Sequence, residues 1–257
     1  MIEEIRKEIA RLESHHNIKI LYAVESGSRA WGFASANSDW DVRYIYIHPL
    51  EWYLKIDDQK DSQDEILDND IDLAGWELKK ALRLFRKSNP PMLEWLHSPI
   101  IYQETYSTAE HLRQLQAEFF SPKACMHHYL HMAEGNYENY LLDEQVRVKK
   151  YFYVLRPLLA CDWIKSRNTM PPTEFRPLLD TYVTDPIVKE TIEALLLRKM
   201  SGEELSTEPA IPVLQHFLKE KLEFYKEYVK GITPQIPANT ALLDKLFVDT
   251  MQEVWHK

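Results

Sequence analysis

The sequence predicts an α/β domain over residues 1–105 followed by an all-helical domain over residues 106–257. Three observations carry this. Up to residue 105, apolar runs too short for helices alternate with stretches of helical periodicity. Beyond it the strand signal nearly vanishes, and Ser-Pro, Asp-Pro and Gly boundaries bracket long helical stretches. Apolar residues make up 45% and aromatics 12% of the 257 positions, enough to bury a core and to exclude a disordered chain.

Ile2, Ile5, Ile9 and Leu12 recur at helical spacing, so residues 2–15 read as an amphipathic helix. IKILYAV (18–24) is a strand. ESGSRAWGFASANS (25–38), rich in Gly and Ser, is a loop with room for one helical turn. DVRYIYIHP (41–49) is a β-branched and aromatic strand stopped by Pro49. The acidic stretch from Asp57 to Asn69 reads as a solvated hairpin or loop, and DIDLAGW (70–76) as a further strand. Leu78, Ala81, Leu82 and Phe85 mark a helix ending before Asn89-Pro90-Pro91, then PMLEWL is a helical turn and IIY (100–102) an edge strand. Ser107 with Glu110 forms a capping-box pattern, and Ser121-Pro122 opens another helix. Residues 122–142 and 144–166 read as long helices, the second kinked or divided at Pro157. Helices follow from Asp185-Pro186 to Gly202, over 211–230, and from an Asn239 cap over 240–256.

Two cysteines, Cys125 and Cys161, cannot build a disulfide framework or a four-cysteine zinc site, and suit a reducing cytoplasmic interior. No run reaches the roughly 18 apolar residues of a membrane helix. Lys plus Arg is 31 against 40 Asp plus Glu, a net charge of −9. That balance argues against an extended duplex-binding surface but leaves room for a nucleotide or RNA end in a local basic groove. No Gly-x-Ser-x-Gly elbow, Walker A loop or Rossmann fingerprint is present.

The stretch that carries chemistry is Gly27-Ser28, an 11-residue step from Ser28 to Asp39, and Asp39-Trp40-Asp41. Residues i and i+2 of a strand share a face, so Asp39 and Asp41 project together. Adjacent carboxylates repel unless a cation sits between them or one takes a proton. Such oxygen donors suit Mg²⁺, and a third carboxylate from Asp70 or Asp72 would let two ions serve in-line phosphoryl chemistry. Gly27 lets backbone N–H groups approach a phosphate, Ser28 adds a donor, and Arg29 adds charge against a triphosphate tail. Arg43 shares the face of Asp41 and is within reach of a substrate. Together these describe transfer of a nucleotidyl group from an NTP.

The order strand, Gly-Ser, spacer, Asp-x-Asp and later strand Asp resembles the DNA polymerase β-like nucleotidyltransferase superfamily. SGSRAWGFASANSDWDVRYIY with DIDLAGWELKKALRLFRKSNPPMLEWLHSPIIY, HHYLHMAEGNY (127–137) and VKKYFYVLRPLLA (148–160) resembles a narrower group. These are nucleotidyltransferases assigned by sequence to RNA repair pathways of bacteria and phages. The resemblance implies a nucleotidyltransferase-like α/β (α+β) domain with a small mixed sheet. It implies Asp39, Asp41 and Asp72 as catalytic and metal-binding carboxylates, Asp72 being preferred to Asp70 because it directly precedes Leu-Ala-Gly-Trp. It implies Gly27 and Ser28 as the triphosphate-binding pair, Mg²⁺ (two ions, or Mn²⁺ in its place), an NTP substrate, an RNA end as acceptor, and partner proteins of RNA repair. Rival readings are AMP transfer to a protein side chain, as in antitoxin-type relatives, and a silent nucleotide- or RNA-binding module.

His127 and His131 share a helix face, but with His128 they lack the HExxH glutamate and a third ligand, so a helix-surface or packed role is the plainer reading. Lys149 and Arg156, seven apart with Tyr153 between them, are candidates to clamp triphosphate or RNA, the alternative being surface solvation.

Overall fold

The computed structural model describes residues 1–203, 205–233 and 239–255. In chain order the elements are α1 (Ile2–His16), β1 (Lys19–Glu25), α2 (Gly27–Ala30), β2 (Trp40–Ile47), α3 (Leu50–Tyr53), β3 (Ser62–Ile66), β4 (Ile71–Glu77), α4 (Leu78–Arg86), α5 (Pro90–Leu96), β5 (Ile101–Glu104), α6 (Thr108–Phe119), α7 (Pro122–Tyr140), β6 (Gln145–Arg147), α8 (Lys150–Arg167), α9 (Phe175–Tyr182), α10 (Pro186–Met200), β7 (Thr207–Pro209), α11 (Pro212–Tyr228) and α12 (Ala241–Trp255). The chain forms two compact units. The first holds residues 1–30, 39–120 and α12, and the second holds residues 31–38 and the chain from Ser121 through α11.

The first unit is built on a five-stranded mixed sheet ordered β3-β4-β2-β1-β5. Only β2 and β4 run parallel; the other neighbours are antiparallel. α1 lies on one face because Ile5, Ile9 and Leu12 form one apolar stripe. That stripe packs with Ile20, Ala23, Val42, Tyr44, Tyr46, Ile71 and Leu73 from three strands. Side chains alternate along a strand, so Asp41, Arg43 and Asp72 fall on the opposite face. That face also carries Trp76, which stacks on Trp95 of α5 at 3.8 Å. α5 starts where Asn89 accepts the Met92 N–H and proline occupies the first turn.

The acidic stretch of 57–69 contains β3, which pairs with β4 as a hairpin. The capping box expected at α6 is replaced. The Ser107 side chain makes no cap bond to its own helix. Instead, Glu253 of α12 accepts from the Ser107 N–H at 3.1 Å and from its hydroxyl at 2.7 Å. The Thr108 and Thr250 hydroxyls meet at 3.1 Å in a buried contact between the same two helices. These long-range contacts place α6 and α12 with the sheet, so the boundary by packing falls after Phe120 rather than at residue 105.

The second unit is helical, with one short two-stranded ribbon of β6 and β7. Residues 145–147 belong to that ribbon, so α8 begins at Lys150 rather than 144 and runs through Pro157 undivided. Trp31 and Phe33 pack within this unit: Phe33 lies 5.0 Å from Phe152 and 5.7 Å from Phe175, ring to ring. Cys125 and Cys161 are buried and free, and burial pushes the Cys161 thiol well above its usual range.

One buried group of the first unit makes acid stability testable. His48 stacks on Trp52 at 4.2 Å. Burial, with lesser pushes from Lys55 and His16, lowers its pKa to about 4. The unfolded chain takes up this proton near pH 6.5 and the folded chain only near 4. The neutral imidazole's contribution is therefore fully present above 6.5 and is lost as pH falls toward 4, by up to about 3 kcal/mol. Urea unfolding of His48→Phe, which keeps the ring stack, is expected to lose less stability between pH 7 and 4.5 than the parent chain. Equal losses in the two proteins would refute this assignment.

Candidate active site

The site grows from the turn between β1 and β2. After Lys19, β1 is apolar or aromatic up to its last residue, Glu25, which is fully buried. Its Oε1 accepts the Asp41 N–H at 2.9 Å and its Oε2 accepts the Tyr102 hydroxyl. Burial raises the Glu25 pKa to about 7, against the opposing pull of these two donors. The Ser26 N–H donates to the Asp41 carbonyl at 2.8 Å, so the chain re-enters beside β2. Gly27 follows at φ 57°, in the left-handed region where glycine is unstrained. A Cβ built on Gly27 would lie 2.0 Å from Asp41 Oδ2. The turn and the carboxylate are thus in direct apposition, and Ser28 follows in the short α2.

Asp41 and Asp72 are direct register partners on the parallel pair β2 and β4. Arg43 lies between their carboxylates. Its Nη2 donates to Asp41 Oδ1 at 2.9 Å and to Asp72 Oδ2 at 2.8 Å, while Nη1 donates to the Asp72 carbonyl at 2.9 Å. All three side chains are half-buried. Two anions on adjacent strands need a cation between them, and here the guanidinium supplies it. Asp70 stands apart in the turn before β4, exposed and at φ 61°, with its carbonyl accepting the Trp40 N–H at 2.8 Å. The register therefore brings Asp72, not Asp70, to Asp41.

Asp39 precedes β2 instead of forming part of it, and its side chain is exposed. Its backbone carbonyl accepts from Arg29 Nε at 3.1 Å, and the Arg29 guanidinium lies 3.6 Å from the Trp40 ring centroid. Arg29 thus braces the loop that carries Asp39. Among the described residues, no group of three or more His, Cys, Asp or Glu side chains is arranged to hold a metal ion. The donor chemistry still fits a hard cation. Asp41 and Asp72 already share one positive charge, and Asp39 adds an accessible carboxylate two residues from Asp41.

The second unit corrects one expectation. Arg156 is 3% exposed, donates through Nε and Nη2 to the Thr173 carbonyl at 3.1 and 3.0 Å, and lies over Trp31 at 4.8 Å. It braces the core of its unit instead of facing a ligand. Helical spacing places Lys149 and Arg156 on one face, but does not reveal that Trp31 and Thr173 cover the latter. Lys149 is exposed and lines a pocket with Arg147 and Lys150. His127 and His131 are exposed on α7. The residue that sequence reasoning missed is Glu25, and its signal was a carboxylate closing an otherwise apolar strand just before Gly27-Ser28.

The profile of the RlaP family, described as an RNA repair pathway DNA polymerase beta family, matches residues 1–249. The chain is 47% identical over 255 residues to an uncharacterised protein of Bacillus subtilis, YcgL, covering 99% of this chain and 98% of that one. A crystal structure of a nucleotidyltransferase-like protein from Exiguobacterium sibiricum aligns with 100% of this chain and 81% of its own at 12% identity, with a TM-score of 0.33. No helix among the described residues is long and apolar enough to cross a membrane. With its Gly-Ser turn seated against Asp41 and its profile match over nearly the whole length, the chain belongs to the RNA repair pathway DNA polymerase beta family, a nucleotidyltransferase group.

Proposed function

We propose that the protein transfers a nucleoside monophosphate from an NTP to a hydroxyl at an RNA end. The carrying observation is the apposition of Gly27 to Asp41, itself in register with Asp72. The acceptor oxygen attacks the α-phosphorus, the bond to the β-phosphate oxygen breaks, and pyrophosphate leaves with the displaced charge.

Gly27 and Ser28 hold the β- and γ-phosphates, because a glycine at positive φ exposes backbone N–H groups that no Cβ shields. Asp41 and Asp72, joined by Asp39, would hold the divalent cations, Mg²⁺ or Mn²⁺. Bound there, these ions would lower the pKa of the attacking hydroxyl and offset charge on the phosphates. Arg43 holds the two strand carboxylates in line with one another. Glu25 fixes the main chain of Asp41 from below. The sheet unit thus performs the transfer, and the helical unit binds the acceptor. The free, buried cysteines suit a reducing compartment, and the cytoplasm is the proposed location.

The test is incubation with each α-labelled NTP, Mg²⁺, an RNA oligonucleotide and a protein extract. Mg²⁺-dependent label on RNA is the expected result. Label on protein alone would replace this reading with AMP transfer to a side chain. NTP binding without transfer to either acceptor would leave a silent binding module and overturn the enzymatic reading.

A further inference from the structure

The second unit contains a cavity of about 320 Å³ lined by Arg147, Lys149, Lys150, Tyr153, Ser206 and Thr207. Three unlike pieces of chain bring these groups together. Arg147 comes from β6, opposite Thr207 of β7. Lys149 and Lys150 begin α8. The Val148 N–H donates to the Ser206 carbonyl at 3.1 Å and ties the strand end to the returning chain.

Three cations share this small space in a chain of net charge −9. Among the described residues, no carboxylate pairs with Arg147, Lys149 or Lys150. The first turn of α8 contains no acidic residue. Such a placement is unfavourable for the isolated fold, since like charges repel and cations are disfavoured at the positive end of a helix. Burial and its two basic neighbours push the Lys150 amine below its usual range.

Aromatic rings hold two of the cations in place. Lys150 Nζ lies 4.4 Å from the Tyr140 ring and 4.7 Å from the Tyr153 ring, and Arg147 Cζ lies 5.3 Å from Tyr140. These contacts neutralise no charge, so they orient Arg147 and Lys150 without pairing either with an anion. The lining residues Ser206 and Thr207 carry hydroxyl groups.

We propose that this cavity of the second unit is a phosphate-binding site that takes a phosphate group carried by an RNA strand or a nucleoside polyphosphate. Planar guanidinium and mobile ammonium groups together with hydroxyl donors match the tetrahedral oxygens of phosphate. The inference concerns binding alone and stands whether or not nucleotidyl transfer occurs.

The test is protection of Lys149 and Lys150 from amine acetylation in the full chain, read by peptide mass spectrometry without Mg²⁺. Tripolyphosphate, ATP, and a single-stranded RNA decamer with a 5′-phosphate or a 5′-hydroxyl are the probes, each against NaCl at matched ionic strength. At least one probe is expected to slow acetylation of both lysines about fivefold or more, with Lys7 on α1 unchanged. Protection by both decamers identifies internucleotide phosphates as the ligand. Protection by the 5′-phosphorylated decamer alone identifies an end phosphate, and protection by ATP or tripolyphosphate without either decamer a free polyphosphate. Arg147→Gln, whose fold is checked by circular dichroism, is expected to weaken the protecting ligand's apparent affinity about tenfold. Protection by none of the probes at millimolar concentration, protection matched by NaCl, or a folded Arg147→Gln that protects like the parent would overturn the proposal.

Discussion

Asp41→Asn is expected to lower nucleotidyl transfer by about 10³-fold or more while leaving NTP affinity within a few-fold. The substitution keeps the side-chain shape and the backbone N–H that Glu25 accepts at 2.9 Å. It removes the negative charge that Asp41 shares with Asp72 through Arg43. Loss of one carboxylate from a divalent-cation site forfeits several kcal/mol of transition-state stabilisation, and about 4 kcal/mol corresponds to that factor. Fold stability is expected to change little. The Asp41–Arg43 pair is partly open to solvent, where such pairs contribute about 0–1 kcal/mol, and Arg43 keeps Asp72 as a partner. Label transfer under single-turnover conditions and equilibrium dialysis of the NTP separate the two effects. A transfer rate within tenfold of the parent would remove Asp41 from the chemistry.

The part of this site that is legible in the sequence is the part encoded locally. Alternation along DVRYIYI puts Asp41 and Arg43 on one face, and the structure keeps them there with Val42, Tyr44 and Tyr46 on the other. The alternation of IDLAGWE likewise puts Asp72 opposite the buried Ile71 and Leu73. What escapes is what distant contacts decide. Glu25 is buried because Tyr102 and Ser98, over seventy positions away, cover its carboxylate and its carbonyl. Arg156 is buried because Trp31 and Thr173 close over it. The Ser107–Glu110 pattern suggests a self-contained cap, yet Glu253 accepts the Ser107 N–H that Glu110 would take and also the Ser107 hydroxyl. Local propensity ranks options for a segment, and packing chooses among them.

Gly27→Ala is expected to combine a clear loss of stability, about 2–4 kcal/mol, with a loss of transfer of about 10²-fold or more. Two penalties meet at this position. A residue with a Cβ at φ 57° pays the left-handed backbone cost, about 1 kcal/mol or more. The new methyl also arrives 2.0 Å from Asp41 Oδ2 and 2.9 Å from its carboxyl carbon, well inside contact. The turn or the carboxylate must then shift, and a displacement of about 1 Å in a reacting group is enough for that loss in rate. Gly32 provides the comparison, because it has φ 84° and nothing within 4 Å of a built Cβ. Gly32→Ala carries the backbone penalty alone, so the difference in unfolding free energy between the two variants isolates the clash. In the double variant Gly27→Ala with Asp41→Ala the carboxylate is gone, and the Asp41 Cβ position lies 3.4 Å from the new methyl, an ordinary contact. Its stability is expected to exceed that of Gly27→Ala by about 1–2 kcal/mol while transfer stays lost, a favourable coupling measurable in a double-mutant cycle by urea unfolding. Strict additivity of the two substitutions would mean that Gly27 and Asp41 do not touch, and the Gly27 turn and the acidic strand would no longer form one site.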